Sequence, residues 1–214
     1  MASPSRRVSD PAALRLSLYL RGLEELARDG RESTSSSQLA ALCGISAAQL
    51  RKDLSHFGSF GKRGFGYPIA DLIPRLREIL GLTRMWRVAL AGAGRLGQAL
   101  VEYQGFRARG FDIVAIFDSD PEKIGQVWGS LTIHGPEELE ERIRSEGAEL
   151  LILAVPASAA QELAERGVEA GIRGILNFAP ARLTVPPGVP VNAVNLGFEL
   201  EALSFVLADA PSAS

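Results

Sequence analysis

At 214 residues, with 46% hydrophobic and 22% charged side chains, the chain can bury one large core or two modest ones, which excludes a disordered protein. No apolar run approaches the roughly 20 residues of a membrane span, and Met1 to Asp10 is polar and basic without the hydrophobic centre of a secretion signal. A cytoplasmic protein with no membrane partner is expected. The net charge of −2 hides an asymmetry: residues 1–87 carry 14 Lys and Arg against 8 Asp and Glu, and residues 88–214 carry 9 against 17. A basic N-terminal block suits a polyanion, and the acidic remainder argues against one that wraps the whole molecule. One cysteine, Cys43, cannot form an internal disulfide and is read as a buried thiol; with only His56 and His134 beside it, no metal site is expected.

Asp10-Pro11 is a helix start, and Leu16, Tyr19, Leu20, Leu23 and Ala27 follow at helical spacing as one apolar face that Gly30 closes. Ser35 with Gln38 and Ser46 with Gln49 each match the Ser-x-x-Gln capping box, bracketing two short helices with the spacing of a helix-turn-helix. Leu39 and Leu42 of the first and Leu50 and Leu54 of the second are expected inside. Ser46, Gln49, Arg51, Lys52, Ser55 and His56 are then left on outer positions, where Arg and Lys can reach guanine edges in a major groove. The stretch Phe57 to Tyr67 alternates aromatics with glycine around a Gly-Lys-Arg-Gly tip and reads as a hairpin wing, with Lys62 and Arg63 able to enter a minor groove. Ala70 to Leu80 returns to helix with Gly81 as its cap, and Pro74 places an alternative start near itself.

After a linker, Leu82 to Trp86, the apolar run from Arg87 ends in Gly92-Ala93-Gly94-Arg95-Leu96-Gly97 and is followed by helix formers from Gln98. This strand–turn–helix is a dinucleotide fingerprint. The first glycine allows the bend, the second lets a pyrophosphate approach, the third lets helix and strand pack, and the helix N-terminus offers unpaired N–H groups. A second apolar run, Phe111 to Phe117, ends at Asp118, the place for a carboxylate on the adenosine ribose, so NADH and NAD+ are favoured over NADP(H). The turn Ser119 to Gly125, with Lys123, is expected beside the adenosine. Pro136 to Ser145 reads as a charged, solvated helix, and Leu150 to Val155 as a buried parallel strand ending at Pro156. A helix from Ser158 to Ala170 and a strand from Gly174 to Phe178 follow. Val155, Pro156, Asn177, Phe178, Ala179 and Pro180 are the expected apolar edge of the crevice. The final helix, Asn195 to Leu207, is too apolar for a solvated end and packs either on its own sheet or on a second copy.

The expected fold class is α/β: a winged helix-turn-helix domain, 1–82, a doubly wound parallel Rossmann domain, 83–194, an apolar C-terminal helix, 195–208, which the resemblance named next implies is the dimerisation helix, and a disordered tail, 209–214. In this order, the segments Leu50 to Gly58, Gly61 to Tyr67, Phe117 to Gly125 and Gly174 to Pro180 resemble the Rex family of bacterial redox-sensing repressors over roughly residues 10–208. The resemblance implies a homodimer whose C-terminal helix is exchanged between subunits, bound to a near-palindromic DNA operator when NADH is scarce and released when NADH binds. It also implies a switch formed by Arg21, Tyr103 and the residue at Asn195, where the family usually has an aspartate; asparagine can hydrogen-bond but cannot form the ion pair. Two other readings are an NAD-dependent oxidoreductase with an N-terminal appendage and a coenzyme A binder. The first needs a proton-transfer group near the nicotinamide. His56 falls in the DNA-reading helix and His134 in a loop remote in sequence from the strand ends, so no catalytic residue is expected and the protein is read as a sensor.

Overall fold

A computed structural model describes residues 10–58, 60 and 66–208. The chain forms two compact units, Met1–Arg84 and Met85–Ser214. In the first, α1 (Asp10–Arg28) is followed by β1 (Ser33–Thr34), α2 (Ser36–Leu42), α3 (Ala47–Ser55), β2 (Tyr67–Pro68) and α4 (Ile69–Ile79). Leu16, Tyr19, Leu20 and Leu23 of α1 are buried against Leu39, Leu50, Leu54, Leu72 and Leu76, each large apolar side chain contributing about 1.5–3 kcal/mol on removal from water. The α1 stripe ends earlier than its spacing suggests: Ala27 is exposed and Leu26 packs on the core instead. Gly30, at φ 75°, turns the chain while the amides of Gly30 and Arg31 return to the carbonyls of Ala27 and Leu26.

Leu42 is also misplaced by spacing alone. It is 45% exposed, and Ala40 is buried in its stead, because the seven-residue α2 turns a narrow face inward. Cys43 is half-buried, its thiol 3.5 Å from the Leu18 carbonyl. Helix α4 starts at Ile69 and runs through Pro74 without a break, although that residue has no N–H to donate. One lost hydrogen bond is tolerated because Ile69, Leu72 and Leu76 bury a continuous face. Strands β1 and β2 pair antiparallel, Ser33 opposite Pro68 and Thr34 opposite Tyr67, a pairing that two-residue segments do not announce in sequence.

The second unit is built on one sheet in the order β5-β6-β4-β3-β7-β8-β9. Its strands are β3 (Trp86–Ala91), β4 (Phe111–Phe117), β5 (Val127–Trp128), β6 (Leu131–His134), β7 (Leu150–Leu153), β8 (Gly174–Asn177) and β9 (Val191–Ala193), and only β5 is antiparallel to its neighbour. Helices α5 (Arg95–Glu102), α6 (Gly105–Ala108), α7 (Leu139–Ser145), α8 (Ala157–Ala170) and α9 (Leu196–Ala208) complete it. Alternation along β3 sends Val88 and Leu90 to one apolar cluster, with Leu100 and Phe106, and Ala89 and Ala91 to another, with Leu139, Ile143, Ala160 and Leu163. Both faces are therefore covered, as a parallel sheet requires. The charged stretch from Pro136 opens as a 3-10 turn, Pro136–Glu138, before α7, and its buried Leu139 and Ile143 correct the expectation of a purely solvated helix. His134 lies in β6, not in a loop, paired with Phe117. Strand order reverses between β3 and β7, so the ends of these two strands, Ala91 and Leu153, open a crevice. Helix α9 buries none of its residues; Leu196, Phe198, Leu200, Leu203, Phe205, Val206 and Leu207 are all 60–72% exposed. Among the described residues, no helix is long and apolar enough to cross a membrane.

Candidate functional site

The first candidate surface is the outer face of α3. Ser46 caps it, its hydroxyl accepting from the Gln49 amide at 3.1 Å. The capping box at Ser35 and Gln38 is complete, both bonds at 3.1 Å, but the second box is half-made. Gln49 turns its carboxamide away from Ser46 and donates to Asp53 Oδ1 at 2.8 Å, which leaves it half-buried and not on the outer face expected. Arg51, Lys52, Ser55 and His56 are exposed, and Arg51 donates to Ser36 Oγ at 2.9 Å, which ties the two helices at their outer edge. Lys62 and Arg63 lie outside the described residues. The return to β2 is described: Gly66, at φ 77°, passes against the Thr34 carbonyl so closely that a Cβ has no room.

Behind this face is a network that helix spacing did not reveal. Asp53, 7% exposed, accepts from Arg15 Nε at 2.6 Å, Arg15 Nη2 at 2.9 Å, Tyr19 Oη at 2.6 Å and Gln49 Nε2 at 2.8 Å. The Arg15 hydrogen bonds, opposed by burial and reinforced by Tyr19 and Gln49, hold the carboxyl at about 2. Burial first, and then the hydrogen bond to Asp53 and its charge, push the Tyr19 hydroxyl well above its ordinary range. The signal was present in the pattern: Asp53 stands three residues from Leu50 and next to Leu54, on the inward side, where a carboxylate needs a cation.

The second candidate site is the crevice after β3. Gly92, at φ 104°, passes against the Ala154 carbonyl, and buried Gly97 faces the Gly92 carbonyl; a Cβ at either would collide with backbone. A Cβ at Gly94 would meet nothing within 4 Å. The middle glycine thus faces open space at the N-terminus of α5, where a pyrophosphate needs backbone approach. Asp118, just past β4, accepts from the Ala93 amide at 2.7 Å through Oδ2 and from the Asp120 amide at 2.8 Å through Oδ1. Lys123 Nζ lies 3.3 Å from Asp118 Oδ2; burial opposes its charge, but the two aspartates, Asp118 before Asp120, outweigh that and raise its pKa. Together with Gly92, Gly94, Val155 and Pro156, these residues line a cleft of about 510 Å³ that continues past Pro136 and Leu163 to Arg166. Arg166 is held by Glu140 at 2.6 and 2.9 Å and by the Pro136 carbonyl at 2.6 Å, a wall that sequence reasoning missed because its anchor is 26 residues away.

Ala93, Arg95, Leu96 and Gly97 belong to the glycine turn and the first turn of α5, with Arg95 and Leu96 exposed. Asn177, Phe178, Ala179 and Pro180 do not line this cleft. Asn177 is buried and spends its side chain on its own turn, donating to the Ala181 carbonyl and accepting from the Ala179 amide, both at 2.9 Å. β8 ends at Asn177, one residue earlier than the apolar run suggested, and the two side-chain bonds of Asn177 hold the turn that follows it.

Comparison with known proteins matches residues 7–55 to a family described as putative DNA-binding protein N-terminus and residues 83–181 to CoA binding domain. Redox-sensing transcriptional repressor Rex of Roseiflexus sp. (strain RS-1) is 46% identical over 93% of this chain and 90% of its own. Rex of Carboxydothermus hydrogenoformans is 46% identical over 93% and 96%. The chain belongs to the Rex family of redox-sensing transcriptional repressors. Among solved Rex-family structures, RSP in complex with β-NAD+ and operator DNA superposes with TM-score 0.89 at 37% identity over 95% of this chain and 94% of that one. RSP in complex with β-NADH gives 0.85 at 36% identity over 94% of both.

Of the three positions that Rex resemblance marks as a switch, Arg21 is exposed on α1 in the first unit. Tyr103 follows α5, 55% exposed, its ring edge-on to Phe106 at 5.1 Å. Asn195 Oδ1 accepts from the Gly197 amide at 2.9 Å and the Phe198 amide at 3.4 Å, so in this Rex chain the residue caps α9, a task asparagine performs as well as aspartate.

Proposed function

We propose that this chain is a transcriptional repressor that senses the NADH/NAD+ ratio, binding a near-palindromic operator as a homodimer and releasing it when NADH binds. The observation that carries the reading is the pairing, in one Rex-family chain, of an exposed basic helix, α3, with a glycine turn closed by Asp118. Arg51 and Lys52 would meet base edges or phosphates, with Ser46, Ser55 and His56 beside them and Lys62 and Arg63 in the minor groove. Gly92, Gly94 and the α5 N-terminus would hold the pyrophosphate, Asp118 and Lys123 the adenosine ribose, and Val155 and Pro156 an apolar ring. Bound nucleotide supplies a redox-dependent shape and charge, and the protein reads it without transferring hydride. For release, NADH must favour the arrangement that does not bind DNA, because a ligand with equal affinity for both shifts nothing.

The exposed apolar surface of α9 favours a second copy as its cover, which makes α9 the dimerisation helix and the segment 83–194 the nucleotide domain. The cytoplasm is the compartment where NADH and operator DNA meet. The test is fluorescence anisotropy of a duplex selected by the protein from a random pool: NADH should dissociate the complex, and an NADH-insensitive complex would refute the reading. The description of the 83–181 match favours a second occupant, coenzyme A; its failure to displace NADH would reject it.

A further inference from the structure

The end of the cleft at Asp118 holds two carboxylates and one ammonium. Lys123 Nζ lies 3.3 Å from Asp118 Oδ2 and 3.5 Å from Asp120 Oδ2, and all three residues line the cleft. Asp118 is heavily used: Oδ1 accepts from the Asp120 amide, and Oδ2 from the Ala93 amide and Lys123. A carboxylate has about four acceptor positions and an ammonium three donors. One acceptor on Asp118 and one donor on Lys123 therefore remain, a match for the two hydroxyls of a ribose diol. A 2′-phosphate in place of one hydroxyl changes the balance, because it brings about two negative charges to a cluster that is already net negative. With Asp118 alone beside it, Lys123 would neutralise the cluster and be available to the phosphate. The second carboxylate, Asp120, decides the sign.

We propose that Asp120 is a specificity-determining residue: by placing a second carboxylate beside the Lys123 ammonium, it leaves the cluster net negative, so that the lysine's charge does not offset a 2′-phosphate and NADPH is refused. The inference rests on the NAD(H) reading above and adds a second residue to it. Asp120 Oδ1 also accepts from the Glu122 amide at 3.0 Å. An asparagine oxygen can accept the same bond, so Asp120→Asn removes the charge and keeps the turn.

The test is calorimetric titration of the full-length protein, its Asp120→Asn variant and its Lys123→Met variant, each with NADH and with NADPH. The ratio of NADPH affinity to NADH affinity should rise roughly tenfold in Asp120→Asn, the size expected for removing one partly screened charge near a dianion. It should fall below the unaltered protein's ratio in Lys123→Met. An unchanged ratio in Asp120→Asn with NADH still bound would overturn the role of Asp120 and leave the NAD(H) reading standing. Equal affinity of the unaltered protein for both nucleotides would likewise overturn it. Binding of neither nucleotide by the unaltered protein would overturn both. Should Asp120→Asn lose its fold, Lys123→Met decides, and a ratio at or above that of the unaltered protein would reject the proposal.

Discussion

Replacing Asp53 by alanine removes the acceptor of four hydrogen bonds and leaves Arg15 and the fully buried Tyr19 without their common partner. Breaking a buried ion pair from one side costs about 3–5 kcal/mol. Arg15 is 27% exposed and can recover water, so the lower end, about 3 kcal/mol, is expected here, a large share of the stability of a small domain. The charge has its own signature. The folded carboxyl sits at about 2 against an ordinary 3.8, a depression that stabilises the fold by roughly 2 kcal/mol. A lowered folded value means that this contribution is complete above about pH 4 and is lost as pH falls from there toward 2. Urea unfolding of the full-length protein followed by hydrogen exchange of peptides from residues 10–58 would measure it. Both tryptophans, Trp86 and Trp128, belong to the second unit, so their fluorescence serves as an internal control that should not move. An Asp53→Ala variant whose first unit unfolds at the same urea concentration as the unaltered protein would refute the argument that this network holds α3 in place.

Lys52→Ala should relax sequence preference at one base pair of each half-site by about 1–3 kcal/mol if Lys52 reads a base edge; uniform weakening on all duplexes with a shallower salt dependence would make it a phosphate contact instead. Truncation after Val194 removes the seven exposed apolar side chains of α9, so analytical ultracentrifugation should find monomers that still bind NADH but not operator. A truncated protein that stays dimeric would place dimerisation elsewhere. Asn195→Asp keeps the α9 cap and adds a charge at a helix N-terminus, with a gain of about 0.3–1 kcal/mol. The NADH concentration needed for release should shift, and an identical release curve would show that charge at this position is not part of the switch.

The glycine turn was legible because its outer glycines and its acid are demanded by local contacts: Gly92 and Gly97 have no room for a Cβ, and Asp118 closes on the Ala93 amide. Helix α3 was legible from its Ser46 cap and its buried Leu50 and Leu54 for the same reason. Strands β5, β6 and β9 were not, since segments of two to four residues at the sheet's margins carry no period to read. Leu42 failed because spacing cannot tell how wide a seven-residue helix's inward face is. The Asp53 network and the Arg166 wall failed for a different reason. The Arg15–Asp53 pair spans 38 residues and the Arg166–Glu140 pair 26, and only the packed structure shows which cation a buried or half-buried carboxylate has found.

If nucleotide and operator compete through one two-state arrangement, their effects must be reciprocal. The most direct test is the NADH dissociation constant measured without and with a saturating, selected operator duplex. Operator should weaken NADH binding by the same factor by which NADH weakens operator binding; an NADH affinity that is indifferent to DNA would contradict the account.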